Sequence, residues 1–256
     1  MCTLTWLTTE RGFELCFNRD EARGRSRAFP PKIYHVDGTR VLMPIDPDGM
    51  GTWIAANEHG LVVCLLNDYQ HGHRVVPTRS RGQLVKSVSV AQRLSHVANI
   101  MMAQDMRDFS PFMLVAFAPD SASGSPVFPL AWRWNGRVLK EVNCLPPVVS
   151  SAVDIEAVAQ ARSDYLALQL RDASPVGTLL DYHRSHVPNQ GHLSVCMHRD
   201  DASTVSLTHI CVDTESVDMH YYDGSPCRVS TPQAAQLPLT ADVASYLKTN
   251  TSTDTH

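Results

Sequence analysis

Met1-Cys2-Thr3-Leu4-Thr5-Trp6-Leu7 opens the chain, and Phe13-Glu14-Leu15-Cys16-Phe17 leads into Asn18-Arg19-Asp20-Glu21 after a break at Glu10-Arg11-Gly12. Apolar and polar side chains alternate in both runs, which is typical of two half-buried strands. A tight turn near residues 10 and 11 pairs residues whose numbers add up to about 21. The sequence therefore predicts a hairpin that places Cys2 opposite residues 18–20, at a cross-strand distance of about 5 Å.

Cys2 follows Met1 directly, so removal of the methionine would place a free α-amine beside the thiol. An α-amine with a pKa of about 7.7 to 8.0 suits a base at neutral pH, and a thiolate is a good nucleophile. A cationic Arg19 would lower the thiol pKa, and Asp20 would orient the amine. We therefore expect these three residues to be catalytic, with Asn18 and Glu21 in support. The alternative is that Cys2 is an ordinary small apolar residue of a strand.

Later motifs accompany this hairpin, namely Gly51-Thr52-Trp53, Asn57-Glu58-His59-Gly60-Leu61 and Leu66-Asn67. Together they resemble the NRDE family, which includes the transport and Golgi organisation protein 2 homologues. More distantly, the layout is similar to N-terminal-nucleophile hydrolases of the choloylglycine hydrolase and penicillin V acylase type. The resemblance implies an α+β fold, a four-layer αββα sandwich of antiparallel sheets flanked by helices. It also implies a cysteine uncovered at the N-terminus and cleavage of unactivated amides.

The resemblance implies further site residues. Asn67 ends an apolar strand-like run, and its amide is suited to stabilising an oxyanion. In a turn, an asparagine at this place would also be ordinary. Trp53 and Asn57 belong to the shared motifs and are expected to support the site.

Two positions leave the chemistry open. Arg199 lies in a predicted hairpin over 193–208 and either completes the catalytic cluster or pairs with Asp200 or Asp201 in a surface turn. Family members tend to carry an asparagine where this chain has Ser151. A serine hydroxyl donates one hydrogen bond, so this difference weakens the case for simple amidase activity.

The order of elements along the chain supports the same fold class. Ser80 is predicted to cap a helix with Gln83 as its capping-box partner, and apolar residues from Leu84 to Met101 form one stripe. Runs of strands and runs of helices, without strict alternation, favour antiparallel sheets covered by helices. We expect one domain over residues 1–248 and a disordered tail over 249–256.

Composition excludes several classes of partner. The net charge is −4, and the one basic run, between Arg19 and Arg27, is interrupted by acidic residues, so nucleic acid is not expected. The N-terminus lacks the pattern of a signal peptide, and no apolar stretch approaches the roughly 18 residues of a membrane span. We therefore expect a cytoplasmic protein without an integral membrane segment.

The cysteines and histidines point to no metal site. Seven cysteines at irregular spacing are expected to be reduced thiols, and there is no Cys-x-x-Cys motif. The closest histidine pairs, His71 with His73 and His183 with His186, lack cysteines or carboxylates at metal-binding spacing. We expect these histidines to be ordinary surface or core residues.

The leading hypothesis is an N-terminal-nucleophile amidohydrolase that cleaves a non-peptide carbon–nitrogen bond in a small amide-containing or hydrophobic molecule, without a cofactor. Its rival is a non-catalytic carrier of haem or lipid, since the resemblance extends to eukaryotic relatives linked to membrane-lipid homeostasis and haem trafficking. A third hypothesis is a structural role with a buried Cys2. The oligomeric state is left open, a homo-oligomer included.

Overall fold

A computed structural model of the 256-residue chain describes residues 1–70, 77–119, 129–172 and 175–251. The strands are β1 (Cys2–Thr9), β2 (Gly12–Ala22), β3 (Phe29–Val36), β4 (Thr39–Ile45), β5 (Ile54–Asn57), β6 (Val62–Asn67), β7 (Phe112–Phe117), β8 (Leu130–Trp134), β9 (Leu139–Val142), β10 (Val148–Ser150), β11 (Ala202–Val212), β12 (Ser216–Asp223) and β13 (Gln233–Pro238). The α-helices are α1 (Arg81–Val88), α2 (Leu94–Met102), α3 (Ile155–Asp172), α4 (Pro175–Arg184) and α5 (Ala241–Thr251).

These strands form two antiparallel sheets. The first has the order β10-β1-β2-β11-β12-β13, and the second has the order β3-β4-β5-β6-β7-β8-β9. Apolar side chains between the sheets make one core cluster. Helices α1 and α2 cover the outer face of the second sheet, and α3 and α4 cover the outer face of the first. The predicted α+β sandwich of sheets flanked by helices is confirmed.

The first hairpin has the predicted register. Cys2 pairs with Arg19 and Thr3 pairs with Asn18, so the paired residue numbers add up to 21. Because side chains alternate across a strand, Cys2 faces the layer between the sheets while Thr3 faces the helices. The same alternation turns Asn18 and Asp20 of β2 toward the helices, and the Arg19 side chain shares the face of Cys2.

A β-bulge interrupts the pairing of β2 with β11. Asp20 pairs with Thr204 and Arg19 pairs with Ser206, so Val205 is an extra residue on β11. Bulges bend a strand and redirect its side chains, and they are frequent next to active sites. Here the bulge lies beside the two residues of β2 that were predicted to be catalytic.

Several predictions about elements need correction. Ser80 caps α1 as predicted, but Gln83 donates to Gly49 and Met50 carbonyl oxygens instead of closing a capping box. The predicted single stripe from Leu84 to Met101 is divided between α1 and α2. Residues 193–201 make one isolated bridge, His198 with Ser203, in place of a predicted strand.

The end of the chain also differs from the prediction. Helix α5 runs to Thr251, so residues 249–251 are helical and the predicted disordered tail does not begin at 249. Residues 252–256 lie outside the described residues, as do His71 and His73. Among the described residues, no helix combines the length and apolar character needed to cross a lipid bilayer.

Candidate active site

Cys2 lines a cleft of about 290 Å³ between the two sheets. Its side chain is buried, and burial is the main reason that the thiol pKa is raised, to about 11. The carboxylates of Asp20 and Glu21 raise it further, while the N-terminal ammonium and a backbone hydrogen bond from Asp20 lower it. With Met1 attached, the thiol is therefore protonated at neutral pH.

Met1 is held in place by hydrogen bonds at both of its backbone ends. Its ammonium donates to the Asp20 carbonyl oxygen over 3.1 Å and to the Tyr69 hydroxyl over 3.3 Å. Its carbonyl oxygen accepts from the Asp20 N–H over 2.9 Å. Burial lowers the pKa of this ammonium, but Cys2, Tyr69 and Asp20 outweigh burial and the net pKa is raised. The N-terminus is thus fixed at the end of β1 beside the cleft.

Arg19 lies on the same face as Cys2 and is almost fully buried. Its guanidinium carbon lies 4.2 Å from the ring centre of Trp53, which is the face-on geometry of a cation–π contact. Its nitrogen atoms lie 3.5 Å from a Glu21 oxygen and 3.7 Å from an Asp46 oxygen. Arg19, Trp53 and Glu21 are therefore brought together with Cys2, as the sequence predicts.

Asp20 approaches the site with its backbone, whereas its carboxylate lies on the helix side of the sheet. Oδ1 accepts from the Thr204 hydroxyl over 2.6 Å, and Oδ2 lies 3.9 Å from Nη1 of Arg162. Burial is the largest effect on this carboxyl and raises its pKa, against the lowering effect of Arg162. Asp20 can therefore orient the N-terminus directly through its main chain. The hydroxyl groups behind the strand, such as that of Thr204, hold the Asp20 carboxylate and so the position of that main chain.

Arg162 of α3 is the buried cation of this layer. The residue is 1% exposed. It donates to Thr3 Oγ1 and to the Ser194 carbonyl oxygen, the second bond measuring 2.8 Å. The arginine that lies beside the Asp20 carboxylate is therefore Arg162, whereas Arg199 was the arginine predicted to complete the cluster.

Asn67 is placed at the end of β6, on the rim of the cleft, as predicted. Its Nδ2 donates to the Tyr69 hydroxyl over 2.9 Å, and the same hydroxyl accepts from the Met1 ammonium. Asn67 is therefore one hydrogen-bonded residue away from the N-terminus. Asn67 and Cys2 thus line the same cleft, and the role of Asn67 at an oxyanion stays a prediction.

Ser151 and Arg199 both contact the side chain of Met1. The Ser151 hydroxyl oxygen lies 3.1 Å from Met1 Sδ, and Arg199 Nη1 lies 3.7 Å from the same sulfur. Arg199 also pairs with Asp201, its Nη2 lying 2.6 Å from a carboxylate oxygen. Arg199 thus forms the surface ion pair that was one of its two predictions, and its membership of a catalytic cluster stays a prediction.

Asn18 and Asn57 were expected to support the site, and the structure places both side chains away from the cleft. Asn18 Nδ2 donates to the His183 and Val195 carbonyl oxygens over 2.9 and 3.0 Å. Asn57 Nδ2 donates to the Ser89 and Ala91 carbonyl oxygens over 2.8 and 2.7 Å. Each amide fastens a segment outside its sheet to a strand.

Sequence reasoning missed Tyr69 and Arg162. Tyr69 follows Asn67 by two residues at a strand end, which is a position where a hydroxyl can reach a cleft. Arg162 lies between Val158 and Leu166 at four-residue spacing, and both of these neighbours are buried. A charged residue within a buried helical stripe is a signal of a buried ion pair, and that signal was available in the sequence.

The fold resembles those of two solved hydrolases. A mutant of the conjugated bile acid hydrolase from Clostridium perfringens is 11% identical, with a TM-score of 0.51 over 93% of this chain and 92% of that one. The N-acylethanolamine-hydrolyzing acid amidase ortholog of Caenorhabditis elegans is 10% identical, with a TM-score of 0.54 over 82% of this chain and 92% of that one. At these identities the likeness shows that the chain shares the fold of these two proteins.

The sequence itself also has a family match. None of the curated proteins compared with the chain matches it. Residues 1–128 match the family model described as Transport and Golgi organisation 2, and these residues contain the hairpin, Trp53 and Asn67. Because this match covers half of the chain, it confirms the resemblance seen in the sequence. The chain belongs to the Transport and Golgi organisation 2 family.

Proposed function

We propose that the protein is an N-terminal-nucleophile amidohydrolase that uses Cys2 to cleave a non-peptide carbon–nitrogen bond. The observation that carries the proposal is the N-terminal hairpin, in which the Cys2 thiol faces a cleft and the N-terminus is anchored by Asp20 and Tyr69. The anchored α-amine belongs to Met1. Once Met1 is removed, Cys2 carries its own α-amine at this place, and one residue then supplies both the attacking atom and the base. The likeness of the fold to two hydrolases is consistent with this proposal.

Removal of Met1 is the first requirement of the mechanism. The Met1 side chain is buried, and it contacts Ser151 and Arg199. Its loss would open a space lined by a hydroxyl and a guanidinium beside the new N-terminus. It would also place the α-amine on the nucleophile itself, so that the thiol proton has an acceptor within the same residue.

The reaction then proceeds in two halves. The α-amine takes the thiol proton, directly or through a water, and the thiolate forms a bond to the substrate carbonyl carbon. Asn67 and a backbone N–H stabilise the oxyanion. Collapse breaks the carbon–nitrogen bond, and the ammonium returns its proton to the departing amine. Water next attacks the thioester, releases the acid and restores the thiol.

Charged side chains at the cleft favour a polar substrate end. Arg19 and Arg81 line the cleft, and burial lowers the pKa of Arg81. Arg25 and Asp46 form an ion pair on the same rim. Arg199, whose side chain is 22% exposed, contacts Met1 and is a further cation for a substrate carboxylate once Met1 has left.

A turnover assay with variants tests this proposal. A panel of N-acyl amides that differ in acyl length and amine is incubated with the protein that lacks Met1, and the released amine is measured. We expect Cys2→Ala to abolish turnover and Asn67→Ala to lower kcat by about 10² to 10³, the effect typical of removing one oxyanion donor. The control is Asn99→Ala, which removes an exposed amide from α2. Turnover that persists in Cys2→Ala would contradict the proposal.

One observation favours a carrier as the second candidate function. A second cleft, of about 390 Å³, lies on the other side of Arg19, where Arg27 and Tyr221 line it and Cys2 does not. A ligand there would need no nucleophile. Three results together would favour the carrier over the amidohydrolase. Haem or a phospholipid binds at micromolar concentration, the affinity is unchanged in Cys2→Ala, and no N-acyl compound is turned over.

A further inference from the structure

Four metal-ligating side chains converge on the outer side of the first sheet, away from the cleft. Each offers one ligand atom, and the four atoms lie within 4.8 Å of one another. The four residues are His186, Cys196, His198 and Cys227. Two imidazoles and two thiols are the ligand set of a structural zinc site.

The distances in this cluster agree with a tetrahedral site. The His198 Nε2 atom lies 3.5 Å from Cys196 Sγ and 3.4 Å from Cys227 Sγ. Zinc–sulfur bonds of about 2.3 Å and zinc–nitrogen bonds of about 2.05 Å give a sulfur–nitrogen edge of about 3.6 Å in a tetrahedron. The rings of His186 and His198 lie 5.1 Å apart at an angle of 76°, so their edges can face one ion.

His186 supplies an independent indication. Its Nε2 atom is buried and has no hydrogen-bond partner among the described residues. A buried polar atom without a partner costs about 1–3 kcal/mol, so such atoms call for an explanation. A cation between His186 and the two sulfur atoms would satisfy this nitrogen.

We propose that His186, Cys196, His198 and Cys227 form a zinc site. Thiolate sulfur and imidazole nitrogen together select Zn²⁺ over the oxygen-preferring Mg²⁺ and Ca²⁺. Four protein ligands leave no open position, so the ion is structural and takes no part in hydrolysis. Binding replaces the protons of both thiols, so zinc uptake releases protons.

The ion would join three segments of the chain. His186 follows the C-terminus of α4, Cys196 and His198 precede β11, and Cys227 lies in the turn after β12. These segments are separate in the sequence, since the ligands follow one another after 10, 2 and 29 residues. Ligands spaced in this way do not form a recognisable metal-binding motif, so no metal site is predicted from the sequence.

The segment between the ligands supports the candidate active site. The Met197 N–H donates to the Thr204 hydroxyl over 2.8 Å, and that hydroxyl donates to Asp20 over 2.6 Å. Arg199, which contacts Met1, follows the ligand His198 directly. A zinc ion would therefore fix the position of the residues behind Asp20 and beside the N-terminus.

Metal titration of the full-length protein tests this proposal. The reduced, metal-free protein is titrated with Co²⁺, whose visible bands and sulfur-to-cobalt charge-transfer band report tetrahedral thiolate ligation, and Zn²⁺ is then added to displace it. We expect one Co²⁺ per chain with both signatures. Cys227→Ser should weaken Co²⁺ and Zn²⁺ binding at least tenfold, because it removes an exposed ligand without opening the core.

The controls separate ligation from folding. Cys144→Ser removes a partly buried thiol outside the cluster and should leave binding unchanged. His186→Gln should weaken binding as Cys227→Ser does, and the far-ultraviolet circular dichroism of both variants should match that of the parent protein. Absence of the charge-transfer band in the parent protein, or equal affinities in Cys227→Ser and Cys144→Ser, would overturn the proposal.

Discussion

The side chains of the first hairpin lie on two opposite faces of the first sheet. Arg19 and Cys2 share the cleft face, because directly opposed residues point to the same side of a sheet. Asp20 and its neighbours Thr204 and Arg162 lie on the helix face. The position of the turn predicted that residues 18–20 lie opposite Cys2. The prediction did not say which of their side chains lie on the cleft face and which on the helix face, although the strict alternation of side chains along a strand contains that information.

His183 of α4, which contacts Thr5 on the helix face of the first sheet, predicts that the stability of the protein depends on pH. It is fully buried, its Nε2 lies 2.8 Å from the Thr5 hydroxyl oxygen, and burial lowers its pKa to about 3. The unfolded chain binds a proton at about pH 6.5 and the folded chain does not. Stability is therefore lost as the pH falls from about 6.5 toward 3, by up to about 4–5 kcal/mol.

Urea unfolding between pH 4 and pH 8 measures this effect. His183→Gln keeps a side chain that can bond Thr5 but cannot take up a proton, so its unfolding free energy should fall less steeply below about pH 6.5 than that of the parent protein. His35→Gln, at an exposed position of β3, is the control and should retain the parent slope. Identical slopes in all three proteins would show that His183 is not the group responsible.

At the scale of elements, β2 and α3 are joined by a buried charge pair. Arg162 Nη1 lies 3.9 Å from Asp20 Oδ2. Arg162 also donates to carbonyl oxygens before β11, and its bond to the Ser194 carbonyl oxygen measures 2.8 Å. Removing one member of a buried pair leaves the other charge without compensation, which costs more than the pair itself contributes. The contact thus links the helix layer to the strand that carries the candidate site.

Substitution of Arg162 tests this link. Arg162→Met should lower the free energy of unfolding by about 3–5 kcal/mol, since it leaves Asp20 and several carbonyl oxygens unpaired. Arg171→Met, near the exposed end of the same helix, should change it by less than about 0.5 kcal/mol. The measurement is chemical denaturation at neutral pH, and equal losses in the two variants would exclude a special role for Arg162.

The elements themselves were predictable where local signals were strong. Alternation and a short turn predicted the register of β1 and β2, and Ser80 predicted the start of α1. A double proline such as that at residues 30 and 31 is typical of a loop, yet β3 begins at Phe29. This strand is at the edge of its sheet, where missing N–H donors are tolerated, and a bulge absorbs the irregularity. Only tertiary pairing makes it a strand.

In the whole molecule, the candidate site lies where the two sheets meet at the end of β1. Cys2 and Arg19 come from the first sheet, and Trp53 and Asn67 come from the second sheet and its connections. These residues belong to the motifs that suggested the family, and the packing of the two sheets brings them together. The sequence could not show that Asn18 and Asn57 act as fasteners, nor that the zinc ligands of distant segments meet, because both depend on contacts between layers.

The mass of the mature N-terminus shows whether Cys2 becomes the N-terminal nucleophile. Protein purified from its own host is analysed by intact mass and peptide mapping, before and after a short treatment with a thiol-directed electrophile at neutral pH. We expect Met1 to be absent and Cys2 to be labelled ahead of the other six cysteines. Retention of Met1, with Cys2 unlabelled as expected for a buried thiol with a pKa of about 11, would contradict this expectation.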